Sequence, residues 1–322
     1  MICVSIIIPA YNAAATIGRT LSALSKQNCF QPFEMIVVDD GSTDGTKEIV
    51  ATFPTVKYIR QDNAGPAAAR NHGAKVALGE YLAFTDSDCI PHEDWVSQLM
   101  SGFGQQQVGV VAGSYGIANP QSVLARCICS EILWRHTHLM PDFPNAFGSY
   151  NFCVRKNVFD AVGRFNTGYR RASGEDNDLS YKVTRSGWRI YFQRQALVDH
   201  FHPSGVFKYL KEQCRHGFWR VKMYKDHPRM IQGDGYTFWK DMVEIPGAAF
   251  FLLLVMLNLF YLGKLNVICS LFLILFLLLE VFFAMVITQN LFEGIFFGGV
   301  LLMRSFARLG GFSTGLLYLI KK

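Results

Sequence analysis

Charge is thin in this chain. Asp, Glu, Lys and Arg make up 17% of its 322 residues, against about 25% in ordinary globular domains. No basic-aromatic recognition pattern is present either, so nucleic acid is not an expected partner. Eight cysteines stand at 3, 29, 89, 127, 129, 153, 214 and 269 without one Cys-x-x-Cys pair, and they read as free thiols that pack as small hydrophobes. Cys127-x-Cys129 and His136-x-His138 lack the spacing of a structural zinc site. No Gly-x-Gly-x-x-Gly follows the first apolar run, and Gly-x-x-x-x-Gly-Lys-Ser/Thr is absent. Dinucleotide and P-loop sites are thereby excluded. No basic segment precedes Ile6-Ile7-Ile8, and that run stops at Pro9, so a signal peptide is not expected and residues 1–240 are expected in the cytoplasm.

What is abundant is apolar surface. Half of the residues are hydrophobic, and the excess is concentrated after Gly247. Ala248 to Leu257 is wholly apolar, and Leu265 to Thr288 carries one charge, Glu280. As a helix the second run measures about 36 Å, enough for a hydrocarbon core of roughly 30 Å. Gly263 and Lys264 separate the two runs, so a helical hairpin with spans at 246–263 and 265–288 is expected. Glu280 is expected to be partly solvated or paired with another helix. The next segment, Leu291–Met303, is short for a span, and Arg304 and Arg308 lie one turn apart. Gly310-Gly311 is expected to interrupt the helix there. An interfacial or re-entrant element should result, with Lys321 and Lys322 on the catalytic side. Lys222, Lys225, Arg229 and Lys240 before the hairpin fit positive-inside topology. The net charge of +6 suits anionic headgroups and phosphorylated lipids. The expected location is the inner cell membrane, multi-pass, and an oligomer is compatible with the sequence.

The first hundred residues alternate. Val4–Ile8, Met35–Val38, Val56–Ile59 and Tyr81–Thr85 are apolar β-rich runs. Ala13–Ser25, the stretch carrying Ile49 and Val50, and Pro66–Leu78 between them read as helices. Ser42 or Thr43 is expected to cap the second helix. Fully apolar strands alternating with helices imply a parallel sheet covered on both faces, with right-handed crossovers. Ligands of such sheets bind at the strands' carboxyl ends, where Tyr11, Asp39 and Asp86 fall. Further on, strands are expected at Val108–Ala112, Phe152–Val154 and Trp188–Phe192, and helices at Val123–Trp134 and after Ser173-Gly174.

Two acidic motifs bear chemistry. Asp86-Ser87-Asp88 ends the run Tyr81-Leu82-Ala83-Phe84-Thr85. In an extended segment residues i and i+2 point the same way, so the two carboxylates can aim at one cation, Mg²⁺ or Mn²⁺. Such a cation could grip a diphosphate. Glu175-Asp176-Asn177-Asp178 opens an amphipathic stretch, and acids there also suit a helix N-terminus.

Taken in order, these pieces resemble the inverting family 2 glycosyltransferases of GT-A fold. The likeness covers roughly residues 1–225 and runs through five motifs: Ser5 to Asn12, Val37 to Thr46, Asn63 to Asn71, Asp86-Ser87-Asp88 and Glu175-Asp176. It implies a GT-A Rossmann-like mixed sheet with helices on both faces, followed by the C-terminal hairpin. It also implies a cytoplasmic catalytic domain at 1–225, an interfacial linker at 226–245 and a membrane region at 246–322. By motif, Pro9, Tyr11 and Asn12 form the loop over the nucleotide base. Asp39 meets base or ribose, with Asp40 beside it, and Arg70 meets the diphosphate. Asp88 ligates the metal, and Asp86 serves ribose or metal. His200 or His202 is a further candidate ligand. Asp176 is the base, with Glu175 second.

The stretch Gln213 to Arg220 differs from the Gln-x-x-Arg-Trp signature of processive relatives, since Phe218 precedes Trp219. It is closer to exopolysaccharide glycosyltransferases of the succinoglycan type. Arg215, His216 and Arg220 then either close over a diphosphate or lipid phosphate, or lie on anionic lipid. The implied activity moves a sugar from a nucleotide-diphosphate sugar to a lipid-linked acceptor, in cell-surface polysaccharide or glycolipid synthesis. Sugar transfer to polyprenyl phosphate and a non-catalytic sugar-nucleotide scaffold are the alternatives.

Overall fold

The computed structural model describes residues 2–105, 107–169, 174–233 and 237–320. Of the positions singled out in the sequence, Ser173, Lys321 and Lys322 lie outside these. The chain forms two compact units, residues 1–118 with 140–201, and residues 119–139 with 202–322. From the sequence, the chain is expected to divide at 225 and 245, into a catalytic domain, a linker and a membrane region.

The first unit is built on one eight-stranded sheet. Its strands are β1 (Val4–Ala10), β2 (Phe33–Asp39), β3 (Val56–Arg60), β4 (Tyr81–Thr85), β5 (Cys89–Pro91), β6 (Val108–Ile117), β7 (Asn151–Arg155) and β8 (Arg189–His200), in the order β3-β2-β1-β4-β7-β6-β8-β5. The first four strands are parallel. Helices α1 (Ile17–Leu24), α2 (Thr46–Ala51) and α3 (Pro66–Val76) connect them. β7 then pairs antiparallel with β4 and β6, so the sheet is mixed. Ile6, Ile7, Ile8, Ile36, Val37 and Val38 are all fully buried, which is why these strands carry no polar alternation. α3 lies tight on the sheet at Gly73, where a Cβ would sit 2.5 Å from Ile7 Cγ2.

One local expectation is corrected. Neither Ser42 nor Thr43 caps α2. Its first turn follows Gly45, while Ser42 Oγ accepts from the Asn12 amide and the Thr43 amide donates to Asn12 Oδ1. The β1 and β2 loops claim these groups first. α4 (Trp95–Ser101), α6 (Lys156–Ala161) and α7 (Glu175–Arg185) complete the unit.

The second unit is helical: α5 (Val123–His138), α8 (Val206–Asp226), α9 (Trp239–Phe260), α10 (Asn266–Thr288) and α11 (Leu291–Ile320). The last three are long and apolar enough to cross a membrane. The expected break at Gly310-Gly311 is absent, and α11 runs unbroken for 30 residues. The glycine at 311 is there for approach: a Cβ on it would sit 1.8 Å from the Cys214 carbonyl oxygen of α8. Glu280 is paired across helices, 2.6 Å from Lys240 Nζ.

Candidate active site

Three strand ends of the first unit set out the site. At the end of β1, Tyr11 is 52% exposed, an apolar face open to a ligand. Asn12 takes a left-handed backbone, φ +50°, one of the few residue types that do so readily, and its bonds to Ser42 and Thr43 tie the first two loops together. Asp39 ends β2 fully buried and accepts from Tyr58 Oη at 2.5 Å and the Ser42 amide at 2.7 Å. Burial raises its pKa. The bonds from Tyr58 and Ser42 and the nearby Arg60 outweigh that and leave it below the ordinary value. Tyr58 is pushed up to about 12 by burial and the same bond. Asp40 turns the other way: its carboxylate accepts from the Ala64 and Gly65 amides and from Gln61 Nε2, so it fixes the loop into α3.

The third strand end differs from the extended geometry expected of it. Residues 86–88 form a turn between β4 and β5, closed by the Cys89 amide on the Asp86 carbonyl at 3.1 Å. The two carboxylates therefore take different partners. Asp86 Oδ1 meets Arg70 Nη2 at 2.7 Å, and Asp88 Oδ1 lies 3.4 Å from His200 Nε2. The register that sets this second pair comes from β5, whose Cys89 stands opposite His200 of β8. Ligand atoms of Asp88, Cys89 and His200 lie within 4.8 Å of one another, the grouping among the described residues able to hold a metal ion. Asp86 and His202, which the sequence placed among the ligands, are not in it. His202 belongs to the other unit, where its backbone bonds the Asn119 side chain.

Arg70 is also placed differently. It is 3% exposed and bridges Asp86 to Glu175, whose Oε1 is 3.1 Å from Nη1. Burial works against its charge, and the two carboxylates outweigh it. The fork thus links the turn after β4 to the start of α7. Glu175 is committed to that pair. Asp176 beside it is only half-buried and accepts from the Asn177 amide at 2.8 Å. Burial raises its pKa above the ordinary aspartate value, against that bond and the Arg70 charge. A Cβ on Gly148 would stand 2.4 Å from Tyr150 Cε1, so the glycine makes room for the Tyr150 ring, and the same position lies 3.5 Å from Asp176 Oδ2. Tyr115 stacks on Tyr150, centroids 3.7 Å apart, and lies 5.3 Å from the His200 ring. Arg215 lies in the other unit, 3.8 Å from Glu212.

Sequence reasoning missed Tyr58, Cys89 and the Tyr115–Tyr150 wall. Tyr58 stood out only as an aromatic inside a short strand. The three-residue β5 has no periodicity to detect.

The description "Glycosyl transferase family 2" matches residues 5–175, more than half of the chain. The chain belongs to this family. It is an enzyme that transfers sugar from a nucleotide sugar. Glycosyltransferase AglE of Haloferax volcanii is 31% identical over 228 residues, 69% of this chain and 74% of that one. Validoxylamine A glucosyltransferase of Streptomyces hygroscopicus is 28% identical, with 60% of this chain matched to 54% of its own. The glycosyltransferase thus spans about half the length of some curated relatives. Among solved structures, a mannosyltransferase of Pyrobaculum calidifontis in complex with GDP-Man and Mn²⁺ superimposes with a TM-score of 0.55 at 22% identity, over 70% of this chain and 64% of that one. The shared fold is GT-A.

Proposed function

We propose that this glycosyltransferase moves a hexose from a nucleotide-diphosphate sugar to a lipid-linked acceptor at the cytoplasmic face of the cell membrane, in cell-surface polysaccharide or glycolipid synthesis. The observation that carries the reading is the union, in one chain, of the strand-end carboxylates with three helices long and apolar enough to cross a membrane. An acceptor confined to the bilayer is best met by an enzyme confined there.

Tyr11, with Pro9 and Asn12 behind it, covers the nucleotide base, and the ionised Asp39 receives a donor hydrogen bond from base or ribose. A divalent cation, when bound, neutralises the charge that develops on the leaving diphosphate. The Asp88 carboxylate and the His200 imidazole would hold it. A nitrogen donor in the set suits Mn²⁺ better than Mg²⁺. Asp176 takes the proton of the acceptor hydroxyl as that oxygen attacks the anomeric carbon and the bond from sugar to diphosphate breaks. One displacement inverts the centre, and no sugar is carried on the protein. Of the three acids in the first turn of α7, Glu175 is held by Arg70 and Asp178 by Lys182, which leaves Asp176, whose pKa burial raises, as the base.

The test is a donor screen read by released nucleoside diphosphate, with membrane lipid extract as acceptor in one arm and polyprenyl phosphate alone in another. Release that needs the lipid extract is expected. Release with polyprenyl phosphate alone would reassign the acceptor, and no lipid-dependent release with any donor would sink the reading.

A further inference from the structure

The second unit hides charge where its sequence advertises grease. Lys240 and Glu244 of α9, Glu280 of α10 and Arg304 of α11 are each at most 1% exposed. Lys240 Nζ lies 2.6 Å from both Glu244 Oε1 and Glu280 Oε2. Arg304 reaches Glu244 at 2.6 Å and Glu131 of α5 at 2.7 Å. Arg135 of α5 joins Glu131 to Asp241, and Arg308 meets Glu244 at 2.8 Å. Arg135, Lys240, Arg304 and Arg308 balance Glu131, Asp241, Glu244 and Glu280, so the cluster is neutral. Buried ions in such a place must be paired, and these are.

The helices around this cluster differ sharply in what they show to solvent. α8 carries eight ionised side chains in 21 residues, from Lys208 to Asp226, and cannot lie in hydrocarbon. α11 cannot part from it. A Cβ on Gly217 of α8 would sit 2.2 Å from the Arg308 carbonyl oxygen, so the two backbones touch. Tyr209 and Gln213 of α8 bond Arg304 and Arg308. The first half of α11 is held in the same way by α5, through Arg126 to Glu293 at 2.6 Å and a core of Leu124, Ile128, Phe297 and Leu301. The α9–α10 hairpin beyond the cluster has no such cover. Met256, Leu259, Phe260, Val267, Leu271 and Leu275 are all more than 60% exposed.

We propose that only the α9–α10 hairpin enters the bilayer, its occupant being lipid acyl chains. α11, although long and apolar enough to cross, is held against α5 and α8 at headgroup level. The charge cluster then marks the near edge of the hydrocarbon. From Lys240 the free helix of α9 is about 30 Å long, and from Glu280 back to the start of α10 it is about 21 Å. The first is close to one hydrocarbon core of about 30 Å, and the second is about two thirds of it. The tip is suitably polar: Asn258 Nδ2 bonds Asn266 Oδ1 at 2.7 Å, and Lys264 is exposed. Both ends of the hairpin, and the end of α11, therefore lie on one side.

This inference rests on the membrane-anchored reading above. The full chain is tested in sealed membrane vesicles with short epitopes at the N-terminus, after Gly263 and at the C-terminus, each probed by antibody before and after permeabilisation. The Gly263 epitope should label on one side, and the other two only on the opposite side. A C-terminal epitope that labels with the tip would show that α11 spans, and would overturn the proposal. A tip that labels with the N-terminus would show that the hairpin does not cross, and would also overturn it. Release of the chain by alkaline carbonate would overturn the anchored reading itself, an outcome distinct from both.

Discussion

Arg70→Met should damage folding more than donor binding, and the structure says by how much. The guanidinium is 3% exposed and fills the gap between Asp86 and Glu175 at 2.7 and 3.1 Å. The pairs are worth about 6 and about 5 kcal/mol gross at an effective dielectric of 20. Desolvation takes back much of this, and removing one partner of a buried pair typically costs about 3–5 kcal/mol. The loss leaves two carboxylates facing each other. For a unit of this size that lowers the melting temperature by roughly 10 °C. Arg70→Met with Glu175→Gln removes one of the stranded charges and should recover part of the loss. The assay is thermal unfolding of the purified chain, with nucleoside diphosphate affinity measured on the same samples. An unchanged melting temperature with affinity reduced about a hundredfold would refute the bridge, and would return Arg70 to the diphosphate role that the family likeness implies.

Tyr58→Phe removes the hydrogen bond that Asp39 receives at 2.5 Å. The bond is to a charged group and is worth about 1.5–3 kcal/mol; the pKa of Asp39, followed by NMR, should rise, and nucleotide affinity should fall. Asp88→Asn should lower turnover by about two orders of magnitude or more while the melting temperature holds, and full activity in excess chelator would remove the metal from the scheme. The acid limb of the rate profile should lie above 3.8, the ordinary value for an aspartate, because burial raises Asp176. A base must be ionised to act, so the rate should fall as pH drops through that raised value. A limb at or below 3.8 would exclude Asp176.

β1, β2 and β4 were legible because they are buried on both faces, which leaves nearly unbroken apolar runs in the sequence, whereas the edge strand β3 is only partly buried and carries Lys57 and Arg60. Two motifs were legible for a related reason, since Asp39 and Asp86 follow apolar runs at strand ends with Asp88 two residues on, and Asp176 stood out in the acidic first turn of a helix. What was not legible depends on pairing between distant segments. Cys89 opposite His200 puts a histidine beside Asp88, and only the register of β5 on β8 selects His200 over His202. Arg70 reads as a cation for the diphosphate, and its pair with Glu175 becomes visible only when α7 is placed against it. The same holds for Arg304 and Arg308. Taken singly they argue against a continuous helix, yet with Glu131 and Glu244 in place they are neutralised, and α11 passes through them unbroken.

The central claim is transfer of a sugar to a membrane lipid with Asp176 as the base. Labelled nucleotide sugar, Mn²⁺ and membrane lipid extract are incubated with the purified chain in vesicles, and label is counted in the organic phase. The parent chain should move label into lipid, with one nucleoside diphosphate released per sugar. Asp176→Asn should bind the donor as the parent does and transfer about 10²–10⁴-fold more slowly. Label that stays in the aqueous phase with every donor, or an Asp176→Asn variant that transfers at the parent rate, would contradict the account.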